Sequence, residues 1–197
     1  PFYYKAVSDD GLYASVAEVI ERVGNDQLRI YLYHIPPIAQ VGFSIDLIER
    51  LVTDYPKTVV GIKDSSGDWA NTAAMLDRQW DDFRVFVGSE SFLLANMQNG
   101  GAGCISATAN INPAAIDRLY REWDGNDAVA MQADLDRIRS VVADYPMIPA
   151  LKATVASFSG DDAWCTVRPP LVALSEEERS KLAASLQKKR FEMPGLS

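Results

Sequence analysis

From Asp9 to the middle of the chain, short apolar runs alternate with segments of helical period, the written form of repeated βα units and a parallel sheet. Leu12, Val16, Val19, Ile20 and Val23 fall at helical spacing, with Asp9 and Asp10 as start signals and Gly24 as a stop. Leu28 to Ile35 is rich in β-branched and aromatic residues and ends at Pro36-Pro37, where the chain must turn, so it reads as a strand. A helix then starts at the capping residue Ser44, with Ile45, Ile48, Leu51 and Val52 on one face. Thr58 to Ile62 is apolar without alternation, as expected of a strand covered on both faces, and it delivers Lys63 at its C-terminal end. The third unit is a helix near Asp68 to Trp80, a strand Phe83 to Val87, a turn at Gly88 and a helix over Phe92, Leu93, Leu94 and Met97. The fourth opens with the turn Asn99-Gly100-Gly101 and the strand Gly103 to Ala107, and continues into a helix capped by Asn112 with Pro113 in its first position.

Beyond Asp124 the strands stop. Ala128, Met131, Leu135, Ile138 and Val142 mark one helix, Pro149 to Phe158 a second, and the capping box Ser175-Glu176-Glu177-Glu178 opens a last one. The expected organisation is a set of βα units over 1–124 and a helical region over 125–197 packed on it, one compact unit with no flexible linker.

Composition narrows the function classes. With 197 residues, 48% of them hydrophobic, the chain can bury a substantial core. A net charge of -8 and no basic run outside Lys188-Lys189-Arg190 argue against nucleic acid as a partner. No apolar stretch approaches the roughly 20 residues that span a bilayer, and no signal-peptide pattern opens the sequence, so the expected compartment is the cytoplasm. Cys104 and Cys165 have neither C-x-x-C nor histidine-rich company and read as reduced thiols, with no structural zinc.

In parallel α/β folds, functional groups gather at the C-terminal ends of the strands. Here those positions hold Tyr33 and His34, Lys63 and Asp64, Ser89 and Glu90, and Ser106 and Thr108. A lysine leaving an apolar strand either pairs with an acid such as Asp64 or Glu90 and does no chemistry, or serves as an amine nucleophile, since burial favours the neutral form that attacks a carbonyl. Tyr33 ends the neighbouring strand, where its phenol can face that amine as a proton relay or sit as a half-buried strand aromatic. His34, the sole histidine, points to the opposite face if Tyr33 faces the site. Asn99-Gly100-Gly101-Ala102-Gly103 lacks the GK ending of a phosphate loop and leads into a strand, so it reads as a turn.

Together these segments resemble the pyruvate-dependent Schiff-base aldolase family that includes dihydrodipicolinate synthase and N-acetylneuraminate lyase. Leu32-Tyr33-His34-Ile35-Pro36 is similar to the family's Y-x-x-P strand five. Val60-Gly61-Ile62-Lys63-Asp64-Ser65-Ser66-Gly67-Asp68 is similar to its lysine motif, G-I/V-K-D/E-A/S/T-S/T-G-D. Val87-Gly88-Ser89-Glu90 stands where strand seven ends, and Gly103-Cys104-Ile105-Ser106-Ala107-Thr108-Ala109-Asn110 resembles the strand-eight motif. Pro1-Phe2-Tyr3-Tyr4 looks like the end of strand four, and Ile148 to Lys152 with Val167 to Leu171 looks like the C-terminal helical region.

The resemblance implies an α/β fold, a (β/α)8 TIM barrel of which strands five to eight and the C-terminal helices are present. It implies a carbon–carbon lyase in which Lys63 forms an imine with pyruvate or another 2-keto acid, Tyr33 relays protons, and Tyr3 reaches a neighbouring subunit's site. Ser106, Ile105 and Ser89 would line the substrate pocket, and Glu90 would meet hydroxyl groups of a longer substrate. No cofactor or metal is implied, and the expected assembly is a homo-oligomer, a dimer or a tetramer. A sugar-acid dehydratase using the same lysine, or a non-catalytic assembly partner, are the alternatives.

Two departures shape the expectation. Dihydrodipicolinate synthases commonly carry an arginine two residues past the Y-x-x-P proline; here that residue is Ile38, which cannot pair with a carboxylate, so a sugar acid is favoured over the lysine-pathway aldehyde. A full barrel takes about 250 residues, and the family's G-T-T/S-G-E loop is not in this sequence. The expectation is therefore a piece of a longer chain, or a half-barrel completed by another copy or another polypeptide.

Overall fold

A computed structural model describes residues 3–196. It comprises two compact units, Pro1–Ile105 and Ser106–Ser197, each with its own core. The boundary precedes the Asp124 division drawn from the sequence because Ile111, which follows the last strand, joins the core of the second unit.

Among the described residues the first unit holds four parallel strands in the order β1 (Ile30–His34), β2 (Val59–Asp64), β3 (Arg84–Val87) and β4 (Gly103–Cys104). Helices α1 (Asp9–Val23), α2 (Pro36–Ala39), α3 (Ile45–Asp54), α4 (Trp69–Leu76) and α5 (Leu93–Gln98) alternate with them. Local chemistry sets the ends. Ser8 caps α1, accepting from the Gly11 N–H at 3.3 Å, and Gly24 closes it in the left-handed region at φ 56°. Ser44 caps α3, accepting from the Leu47 N–H at 3.1 Å.

Period-two alternation then gives the sheet two unlike faces. Leu32, Ile62 and Val85 lie side by side across β1, β2 and β3 and are buried with Leu12, Leu47, Ile48, Leu51 and Met75. Tyr31 and Tyr33, Gly61 and Lys63, and Arg84 and Phe86 take the other face by the same register. Asn96 of α5, fully buried, donates to the carbonyls of Val85 at 3.1 Å and Gly103 at 2.9 Å, tying the helix to β3 and β4.

Several elements differ in extent from the sequence expectation. The strand expected over Gly103 to Ala107 stops at Cys104; Ile105 still donates to the Val87 carbonyl at 2.9 Å, and the chain then turns into a 3-10 helix over Ala107–Asn110. The Asn110 side chain donates to the Ala107 carbonyl at 2.8 Å, a local bond that competes with the ladder. The helix expected up to Trp80 ends at Leu76, before a turn in which Gln79 takes φ 51°. Pro36-Pro37, read as a turn, opens the single-turn α2, where missing N–H groups cost nothing. Pro1 and Phe2 of the expected strand-four segment lie outside the described residues; Tyr3 is in a bend and Tyr4 in irregular backbone.

The second unit contains α6 (Pro113–Arg121), α7 (Ala128–Ala143), α8 (Met147–Ser159) and α9 (Glu176–Lys188). Its core gathers Ile111, Ile138, Val142, Ala150, Leu151, Leu182 and Leu186. Asn112 takes the N-cap position of α6 without a side-chain bond, whereas Ser175 and Glu178 form the full capping box of α9. Among the described residues no helix is long and apolar enough to cross a membrane.

Candidate active site

Parallel pairing of β1 with β2 sets Tyr33 directly opposite Lys63, and His34 opposite Asp64. Alternation sends the first pair to one face and the second to the other. On the first face the Lys63 Nζ donates to the Tyr33 Oη at 3.1 Å and lies 4.3 Å from the centroid of the phenol ring. The cation thus meets both the oxygen and the π-face of one residue. Lys63 is half-buried and Tyr33 is 49% exposed, so the pair is open to a small molecule.

Burial raises the pKa of the Tyr33 phenol, but the hydrogen bonds from Lys63 and from the Ser65 side chain, with the charge on Lys63, outweigh it and hold the phenol below the usual tyrosine range. A phenol so biased gives up its proton more readily than an isolated one, which brings its titration nearer to neutral pH. The sequence reading did not single out Ser65. The signal was present, because residues 63 and 65 share a face of an extended chain.

Beneath this pair the face is floored by aromatic rings. Tyr31 meets Phe86 edge-on with centroids 5.8 Å apart, crossing the position of Gly61. A Cβ on Gly61 would sit 2.5 Å from the Tyr31 ring and 2.5 Å from the Arg84 carbonyl oxygen, so the glycine of the lysine motif is demanded by that crossing.

The opposite face anchors the same strand ends. Asp64, weighed from the sequence as a partner of Lys63, is buried and instead accepts from the Thr72 hydroxyl at 2.7 Å, the Asn71 amide at 3.0 Å and the Ser66 N–H at 2.9 Å. These bonds lock the end of β2 to the start of α4. His34 is buried, and its Nδ1 accepts from the Phe43 N–H at 3.0 Å, which holds the segment after α2 in place. Burial lowers the pKa of His34, with the Asp64 charge opposing, and the accepting Nδ1 belongs to a neutral ring.

The remaining residues singled out from the sequence are placed as follows. Ser89 caps the 3-10 turn Glu90–Phe92, accepting from the Ser91 N–H at 3.2 Å. Glu90 is 2% exposed, which keeps its carboxylate away from solvent. Ile105 closes the first unit and is exposed. Ser106 opens the second unit, buried, with its hydroxyl 3.0 Å from that of Thr108 and 3.3 Å from an Arg139 nitrogen. Tyr3 is 85% exposed. Ile38, in α2, is exposed and apolar where an arginine was expected from the resemblance.

Comparison with known proteins places these features in a wider set. The sequence model of the dihydrodipicolinate synthetase family matches residues 1–189. An uncharacterized DapA-like lyase of Chloroflexus aurantiacus is 31% identical over 189 residues, 95% of this chain and 62% of that protein. Among solved structures, dihydrodipicolinate synthase from Agrobacterium tumefaciens aligns with TM-score 0.83 and 34% identity, over 95% of this chain and 63% of that one. YagE, a prophage protein of the dihydrodipicolinic acid synthase family from E. coli K12 solved in complex with pyruvate, aligns with TM-score 0.85 and 24% identity, over 98% of this chain and 65% of that one. The chain therefore spans somewhat under two thirds of the length of each. Its parallel strands and C-terminal helices match part of a (β/α)8 barrel.

Proposed function

The chain belongs to the dihydrodipicolinate synthetase family, and from that premise we propose that it is part of a carbon–carbon lyase of aldolase type, forming an imine between Lys63 and pyruvate or another 2-keto acid. The observation that carries the reading is the 3.1 Å hydrogen bond from the Lys63 Nζ to the Tyr33 Oη, at the C-terminal end of adjacent parallel strands. Pyruvate bound to YagE, a protein of the same fold, supports the substrate class.

The chemistry closes on these two groups. A neutral Lys63 amine places its lone pair on the keto carbon, and the carbonyl oxygen takes a proton from the Tyr33 phenol. The nitrogen then gives up one of its protons to that oxygen and expels it as water, leaving a protonated imine and the Tyr33 phenolate. In the cleavage direction, the bond between the third and fourth substrate carbons breaks and its electron pair passes into the imine, giving an enamine. The proton of the fourth-carbon hydroxyl goes to the Tyr33 phenolate as the aldehyde leaves. A phenol held below its usual range suits both transfers.

A sugar acid is the favoured substrate, because Ile38 offers no charge to a second carboxylate. Tyr3 would join the relay across a subunit boundary, Ser106, Ile105 and Ser89 would border the substrate, and Glu90 would meet its hydroxyl groups. The assembly would be a homo-oligomer working in the cytoplasm. A dehydratase would use the same amine and differ in its products.

Incubation of the chain with pyruvate and sodium borohydride, followed by peptide mass mapping, tests the proposal. A reduced pyruvate adduct on the peptide containing Lys63, lost in Lys63→Ala, is the expected result. An unmodified Lys63 would remove the reading for this chain. Product analysis over a panel of 2-keto sugar acids separates lyase from dehydratase.

A further inference from the structure

Lys63 stands in a row of residues that crosses the sheet. Register pairs it with Tyr33 on β1 and with Phe86 on β3, and Phe86 is paired in turn with Gly103 on β4. Residues so paired share a face, and the amine therefore has a phenol on one flank and a hydrocarbon ring on the other. The two flanks differ in kind. Toward β1 the Lys63 Nζ meets the Tyr33 Oη at 3.1 Å. Toward β3, the half-buried Phe86 ring meets the ring of Tyr31 at 5.8 Å between centroids and 64° between planes. Tyr31 reaches it by lying over Gly61, where a Cβ would be 2.5 Å from the Tyr31 ring. The two rings thus join β1 to β3 in one apolar surface beside and below the lysine, and with Tyr31 47% exposed that surface is open.

We propose that Phe86 is a specificity-determining residue: its ring, with that of Tyr31, receives the third carbon of the keto acid bound at Lys63 and disfavours a hydroxyl group on that carbon. The keto carbon carries two substituents that point in different directions, the carboxylate and the third carbon. A carboxylate laid against the rings would give up its water for hydrocarbon and face the negative side of the π-clouds. A third carbon that carries only hydrogen loses nothing there, so it takes the apolar flank and the carboxylate turns away from it. A hydroxyl on the third carbon would be stripped of water in the same place. The inference rests on the imine assigned to Lys63 above. It narrows the substrate to 2-keto acids without a hydroxyl group at the third carbon, which among sugar acids are the 3-deoxy ones.

The test compares two keto acids that differ by that one hydroxyl. The chain is incubated with pyruvate or with 3-hydroxypyruvate in the presence of sodium cyanoborohydride, and the rate of adduct formation on the Lys63 peptide is read by mass. Each rate is divided by that of a free alkyl amine under the same conditions, which removes the intrinsic reactivity of the ketone. The parent is expected to favour pyruvate by about 10- to 100-fold, the range in which an apolar pocket discriminates against an added hydroxyl. Phe86→Leu is expected to hold that ratio within about threefold, and Phe86→Gln to lower it by about tenfold or more. A parent that traps both acids equally overturns the proposal, as does a Phe86→Gln ratio equal to the parent's. Should Phe86→Gln fail to fold, Tyr31→Gln, on the more exposed ring, takes its place with the same expectation. No adduct at Lys63 with either acid removes the aldolase and this inference with it; adducts with both at equal normalised rates remove this inference and leave the aldolase.

Discussion

Acidification is a direct probe of the anchor beneath the site. His34 is 6% exposed, its Nδ1 is already committed to the Phe43 N–H at 3.0 Å, and burial holds its pKa below the ordinary 6.5 in spite of the nearby Asp64 charge. In the unfolded chain the ring takes a proton at its ordinary value; in the folded chain it does so at a lower pH. Between those two values the unfolded state binds more protons, so stability is complete above about 6.5 and is lost as pH falls toward the folded-state pKa. The slope cannot exceed about 1.4 kcal/mol per pH unit for one proton, and the loss from this group at pH 5.5 is at most about 1.4 kcal/mol. With a urea dependence of about 1–3 kcal/mol per molar, the midpoint falls by roughly 0.5–1.4 M at that upper bound. His34→Asn keeps an acceptor near the position of Nδ1 and cannot be protonated. Urea unfolding at pH 7 and 5.5, followed by tryptophan fluorescence, should show the smaller drop in the variant. Parent and variant losing the same stability over that interval would refute the argument, because carboxylate titration is common to both.

Two further substitutions test the packing that carries the site. Gly61→Ala forces a methyl to within 2.5 Å of the Tyr31 ring and the Arg84 carbonyl oxygen, and should cost about 1–3 kcal/mol in thermal unfolding with a change in near-ultraviolet circular dichroism as Tyr31 leaves Phe86. Ser175→Ala removes one half of the α9 capping box and should cost about 1 kcal/mol in urea unfolding, with Ser175→Asp recovering most of it.

The strand ends were readable because the sequence carries their chemistry locally. Pro36-Pro37 stops β1 just past His34, the apolar run of β2 leads to Lys63, and βαβ handedness makes the two strands neighbours, so Tyr33 beside Lys63 followed from the order of the residues. The cap of α3 at Ser44 and the capping box of α9 were equally local. What the sequence hid depends on partners far along the chain. Asp64 reads as a natural counter-ion for Lys63 until Thr72 and Asn71 are seen to enclose its carboxylate. The early end of β4 was hidden for the opposite reason: its apolar composition suits a strand, and a bond from the Asn110 side chain to the Ala107 carbonyl favours a turn.

One rule joins these pieces, the alternation of side chains along an extended chain. Tyr33-His34 and Lys63-Asp64 are adjacent in sequence, yet each dipeptide places one side chain on the face that holds the amine and phenol and the other among buried anchors. The anchors lack the exposure that chemistry needs: His34 spends its acceptor on a backbone N–H and Asp64 spends its oxygens on α4. Neither group could be exchanged for the other without loss on both faces, since a shift of one residue in register would bury the ammonium and expose the core. Precision at the amine is therefore a property of the β1–β2 ladder. A substitution that loosens the His34 or Asp64 anchors should disturb the Lys63 to Tyr33 distance before it disturbs the fold.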